Sequence, residues 1–172
     1  MTWLSLDPSS TRTGYAVWSD KPAADTLLES GTLKPDTSDT TAIQRIQTMA
    51  AELIHLVDEH KTSRAVIEIP NTHVHGKLQG RTQGQAVYGL AVGWLIGRVW
   101  ERIPAITYTD NSWTGRSSKL ERVIAVETTF PHYDRKKDSG HDECDALSLG
   151  LWFAQAGGFA PHKQRMNTKN MG

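Results

Sequence analysis

"LSLDPSSTRTGYAV", residues 4–17, sets two apolar runs around a short polar turn. The runs Thr2–Leu6 and Gly14–Ser19 read as two strands that pair back on each other. Asp7 stands where the first strand gives way to the turn, followed by Arg12 and Gly14. A carboxylate at the end of a buried strand is costly unless something positive meets it. The partner could be an arginine, a helix terminus or a metal ion. Taken alone, Asp7 could also serve only to cap the turn.

Outward from this hairpin, Thr26–Leu33 reads as a third strand, completing an antiparallel meander. Ile43, Ile46, Met49, Leu53, Leu56 and Val57 then recur at helical spacing, with Asp39, Thr40 and Thr41 as candidate caps. "RAVIEIP", residues 64–70, is a β-branched run following a helix, which predicts a central parallel strand. Glu68 lies near its end. A polar loop, "NTHVHGKLQGRTQG", leads to a helix over about Gln83–Arg102, in which Gly89, Gly93 and Gly97 form a stripe that predicts close backbone packing. "AITYTD" reads as another strand. "GRSSKLERVIAVETTF" reads as a loop and helix with Ser117 or Ser118 as cap, and "HDECDALSLGLWFAQ" as a final helix. The order is βββαβαβαα.

The length of 172 residues suits one domain. We assign it to residues 1–157, with 158–172 as a basic, flexible tail. The single cysteine, Cys144, allows no internal disulfide, which fits a reducing, cytoplasmic setting. No secretory signal pattern is present. The most apolar stretch, Ala86–Gly97, is closed by Arg98 and falls short of a membrane span. Net charge is zero, but unevenly spread: residues 1–69 hold 6 basic and 10 acidic side chains, residues 70–120 hold 6 and 2. A neutral chain can carry a local basic face.

Four carboxylates fall at element ends: Asp7, Glu68, and the pair Asp142 and Asp145, three apart on one helix face. Separately each has an ordinary reading: a turn cap, an ion pair with Arg64 or Lys61, a complement to the helix dipole. Gathered in one pocket they would repel and demand neutralisation. Hard oxygen ligands suit Mg²⁺ or Mn²⁺, and two such ions about 3.5–4 Å apart can flank a phosphodiester.

The motifs around these residues resemble those of the RuvC family of Holliday-junction resolvases. "LSLDPSSTRTGYAV" is similar to its first-strand motif, "AVIEIP" to its second, "GQA" (residues 84–86) to the opening of its long helix, and "HDECDALSLGLW" to its last motif. The resemblance spans about 150 residues, the tail excluded. It implies an α/β, RNase H-like fold: a mixed five-stranded sheet, three antiparallel strands then parallel ones, flanked by helices. It implies a homodimer that makes paired nicks in four-way DNA junctions with two Mg²⁺ ions per active site, leaving 5′-phosphate and 3′-hydroxyl ends. Asp7, Glu68, Asp142 and Asp145 carry over as metal ligands, and Lys119 as a catalytic lysine near the DNA backbone. His141 adjoins Asp142 and is a further candidate ligand or proton carrier. Lys77, Arg81 and Arg116 join Lys119 as candidate phosphate contacts. Trp113 reads as a packing residue, with base stacking as its alternative. The loop after Glu68 reads "PNTHVHG", without the aromatic residue that the family often has there. The helix over Ala86–Trp100 is the candidate dimer surface. Two other classes compete: a catalytically silent branched-DNA binder of the same fold, and a fragment of an actin-like or sugar-kinase ATPase, whose phosphate hairpin also follows an aspartate.

Overall fold

A computed structural model describes residues 1–69, 82–115 and 117–156. Lys77, Arg81 and Arg116, the loop after Glu68 and the tail lie outside them. The elements run β1 (Trp3–Pro8), β2 (Thr13–Trp18), β3 (Leu27–Leu33), α1 (Ala42–Glu59), β4 (Arg64–Glu68), α2 (Thr82–Trp100), β5 (Ala105–Thr109), a 3₁₀ turn (Asn111–Thr114), α3 (Lys119–Thr129) and α4 (Asp142–Gln155). The five strands form one sheet in the order β3-β2-β1-β4-β5. β1, β2 and β3 are antiparallel, while β4 and β5 run parallel to β1. This is the mixed sheet that the sequence predicts.

Alternation along the strands sorts residues to two cores. Leu4, Leu6, Val17, Ala65 and Ile67 face α1 and α2, meeting Met49, Leu53, Leu95 and Val99. Trp3, Ala16, Trp18 and Val66 face α3 and α4, meeting Val123, Val126, Phe130, Leu147 and Phe153. Helix starts follow local chemistry. Thr41 and Ser118 close capping boxes with Gln44 and Glu121.

The first strand, read as Thr2–Leu6, runs on to Pro8; Asp7 stands near its end, as expected, and pairs opposite Gly14. The turn is tightened by Ser9, whose hydroxyl accepts the Arg12 amide at 3.0 Å. One expectation needs correction. The glycine stripe of α2 packs against nothing: a Cβ built at Gly89, Gly93 or Gly97 meets no atom within 4 Å among the described residues. The buried face of α2 is instead Ala91, Val92, Leu95 and Val99.

The glycine that packing does require is Gly14. A Cβ there would overlap the backbone carbonyl of Asp142. At the far end of the contact, a Cβ on Gly150 would lie 2.8 Å from the Trp18 ring and 2.9 Å from Ser5 Oγ. Ser5 Oγ donates to the Ala146 carbonyl at 2.7 Å and accepts Trp18 Nε1–H at 3.1 Å. α4 is thus pressed onto β1 and β2 along its length, and its first turn ends beside Asp7. Gly14→Ala is expected to cost about 1–3 kcal/mol by overpacking, read as a lower urea midpoint with unchanged slope. An unchanged midpoint would contradict this close approach.

Candidate metal centre

The strand register builds the first half of the site. Leu6 pairs with Ile67 between β1 and β4. Asp7 and Glu68 are the next residue on each strand, so both carboxylates leave the same end of adjacent strands. They share the face that carries Ser5 and Val66, the face α4 covers. Asp142 and Asp145 arrive in the first turn of that helix.

The start of α4 is fastened chiefly by Asp138, which the sequence reading passed over. His141 occupies the N-cap position with left-handed backbone (φ 62°, ψ 26°) and makes no side-chain cap bond. The capping is done from further back. Buried Asp138 accepts the Cys144 amide and the Tyr133 hydroxyl, each at 3.0 Å. Cys144 has its thiol pushed up to about 12, chiefly by burial, and stays protonated at neutral pH. Arg12 reaches from the hairpin turn to Ser139 Oγ at 3.0 Å, and its charge favours the ionised form of Asp142.

Electrostatics shows that the four carboxylates share one field. The Asp7 carboxyl is held well above the usual range, first by burial and then by Glu68, Asp145 and Asp142, with Lys119 opposing. Glu68 is raised mainly by burial, and the Trp113 indole and the Arg122 charge act against that rise. Asp142 is raised by burial and by Asp138, while Arg12 and Lys119 lower it. Tyr88, on α2, has its hydroxyl raised by burial and by the charges of Asp7 and Glu68.

Three donors hold two of these carboxylates. Trp113 Nε1–H donates to Glu68 Oε2. Arg122 donates to Asp145 Oδ1 from Nε at 3.2 Å and from Nη2 at 3.1 Å. Lys119 Nζ lies 3.4 Å from Asp145 Oδ2 and donates to the Gly140 carbonyl at 2.9 Å. Trp113 is therefore a buried structural residue, packed on Trp152 at 6.3 Å between ring centroids, as the sequence favoured. Its bond to Glu68 and the role of Arg122 depend on long-range pairing that periodicity does not reveal. Beside the site, Lys119, Leu120, Val123, Arg135, Lys136, Ser139 and His141 line an open groove of about 470 Å³.

The donor set fits a hard divalent cation. It is all oxygen, Asp7 is crowded by like charges, and Asp142 Oδ2 is buried without a hydrogen-bond partner. Among the described residues no three acidic, imidazole or thiol side chains already stand as a finished cage. Asp145 and Glu68 are turned partly toward Arg122, Lys119 and Trp113. His141 adds no bond to this set; its Nδ1 is buried and unpartnered.

No protein-family model matches the chain, and no curated protein matches it in sequence. Its similarities are to solved structures. T. thermophilus RuvC in complex with a Holliday junction substrate superposes with a TM-score of 0.69 at 18% identity, covering 90% of this chain and 93% of that one. A further Thermus thermophilus RuvC structure gives 0.64 at 17% identity, covering 91% and 97%. The Holliday junction resolvase of fowlpox virus gives 0.53 at 10% identity, covering 91% and 99%. The chain has the RNase H-like fold of these resolvases. Among the described residues no helix is long and apolar enough to cross a membrane.

The raised carboxyl of Asp7 has a measurable consequence in chelator. The folded chain retains that proton above the ordinary aspartate value of 3.8, whereas the unfolded chain has lost it. Stability contributed by this group is present below 3.8 and is lost as pH rises through the folded value. Asp7→Asn should therefore raise the thermal midpoint at pH 7 in EDTA, with the gain disappearing toward pH 3. A midpoint that falls at pH 7 would show that the Asp7 charge is already compensated.

Proposed function

We propose that the chain is a divalent-metal-dependent endonuclease that resolves four-way DNA junctions or related branched DNA by paired nicks. The observation that supports this most is the convergence of carboxylates from three separate chain segments, Asp7, Glu68 and the Asp142/Asp145 pair, at one end of a resolvase-type sheet.

Asp7, Glu68, Asp142 and Asp145 would hold two Mg²⁺ or Mn²⁺ ions. When bound, such ions supply an activated water for in-line attack on the phosphorus and stabilise the leaving 3′-oxygen. The chain's own groups do the rest. Asp7, the most crowded carboxylate, anchors the centre between Glu68 and α4. Lys119, fixed by the Gly140 carbonyl, presents an ammonium at the edge of the acidic cluster where a scissile phosphate would approach. Arg135 and Lys136 extend the cationic groove from Lys119 and give the DNA backbone a path away from the cut. Lys77, Arg81 and Arg116 remain further candidate contacts. The reaction breaks the phosphorus–3′-oxygen bond and forms a bond from water, leaving a 5′-phosphate and a 3′-hydroxyl.

Two nicks across a junction call for two active sites, and we place the homodimer contact on the outer face of α2. Leu90, Trp94 and Trp100 are exposed there beside the open glycine stripe. Exposed apolar surface of this kind commonly marks an interface, although Trp100 also stacks on Tyr108 within the chain. Gly93→Leu should shift the chain from dimer to monomer in sedimentation. An unchanged dimer would move the contact elsewhere.

A synthetic four-way junction beside a matched linear duplex tests the activity. Cleavage should be confined to the junction, require Mg²⁺ or Mn²⁺, and stop in EDTA. Asp7→Asn should lose cleavage by about a hundredfold or more and still shift the junction in a gel. Arg135→Gln with Lys136→Gln should weaken binding and flatten its salt dependence by about one unit of log–log slope per lost contact. Tight junction binding by a wild-type chain that cuts nothing in either metal would replace the nuclease with a silent junction binder.

A further inference from the structure

We propose that Trp113 and Arg122 form one clamp that sets the orientation of two carboxylates in the metal centre, and that they are positioning residues for metal uptake. The inference rests on the metal-centre reading above and assigns these two residues a task within it.

The clamp is defined by how each carboxylate is divided. Glu68 gives one oxygen, Oε2, to the Trp113 indole. Asp145 gives one oxygen, Oδ1, to both Nε and Nη2 of Arg122. In each case the second oxygen takes no bond from the clamp, and Asp145 Oδ2 turns toward Lys119. A carboxylate pinned through one oxygen presents the other in a fixed direction, as a ligand must.

The two holders are themselves one unit. The Arg122 guanidinium lies over the Trp113 ring, 5.6 Å from its centroid. Nη1 of Arg122 donates to the Ser117 carbonyl at 3.0 Å, so each arm of the fork has an assigned acceptor. Trp113 is held from below by Trp152. The Arg122 and Asp145 side chains are only 15% and 16% exposed, against 52% and 37% for the surface pair Arg135 and Glu127. A shielded, forked pair is strong and directional where a surface pair is neither. Trp113 comes from the 3₁₀ turn after β5, Arg122 from α3, Glu68 from β4 and Asp145 from α4. One stacked pair therefore ties together four elements at the site.

A purely electrostatic role for Arg122 predicts the opposite behaviour. Its positive charge would compete with a cation, so removing it would tighten metal binding. Charge and geometry separate by substitution. Arg122→Lys keeps the charge and loses the fork and the stack. Arg122→Gln loses the charge. Trp113→Phe keeps a ring beside Arg122 and loses the N–H to Glu68.

The experiment is calorimetric titration of the full chain with Mn²⁺, without DNA, alongside thermal unfolding in EDTA. Arg122→Lys and Trp113→Phe should each weaken Mn²⁺ binding about tenfold or more, with junction affinity in EDTA unchanged. Two variants on different elements keep the test decisive if one fails to fold. Wild-type binding matched by both variants, or tighter binding by Arg122→Gln, overturns the clamp while leaving the metal centre in place. A wild-type chain that takes up no Mn²⁺ overturns the metal centre and the clamp with it.

Discussion

The organising constraint of this molecule is the repulsion among four carboxylates gathered at one end of a sheet. Asp7 shows it most clearly: burial raises the cost of its charge, and Glu68, Asp145 and Asp142 each add to that cost. A fold kept only for stability would put apolar residues at this position. Here the surrounding structure concentrates the charge and then counters part of it with Lys119, Arg122 and Arg12. Those cations stand at the rim of the cluster. Asp142 keeps a buried oxygen with no partner, which on the proposed reading a divalent ion would complete.

Much of the architecture serves this convergence. Strand register puts Asp7 level with Glu68. The bare α-carbon of Gly14 lets the first residue of α4 close over β2, and Gly150 lets the rest of the helix lie flat on Trp18 and Ser5. Asp138 ties down the start of the same helix by taking the Cys144 amide. The left-handed backbone of His141 then turns the chain so that Asp142 enters the pocket. Stability and site geometry are therefore coupled: a change that lifts α4 from β2 moves two carboxylates together.

The order of elements, the mixed sheet and the four acidic positions were legible in the sequence because each has a local signal. Apolar and β-branched runs marked strands, candidate cap residues marked the starts of α1 and α3, and carboxylates at element ends stood out against apolar neighbours. The glycine stripe of α2 misled because spacing shows which residues share a face but not what that face meets. Gly14 read only as the point where the hairpin returns into its second strand, and its actual task depends on α4, more than a hundred residues later. Trp113 and Arg122 carry no motif of their own. Their importance lies in pairs with Glu68 and Asp145 that only tertiary packing assembles. Arg135 and Lys136 carry no motif in the sequence, and they become part of a groove only once α3 places Lys119 beside them.

We propose that these four carboxylates together make a divalent-cation site. The most direct test is anomalous diffraction from a crystal of the full chain soaked in Mn²⁺. Strong anomalous density bounded by Asp7 and by carboxylates of both β4 and α4 is expected. Mn²⁺ density only at surface positions, with Asp7 and Asp145 unmoved from the arrangement described here, would contradict it.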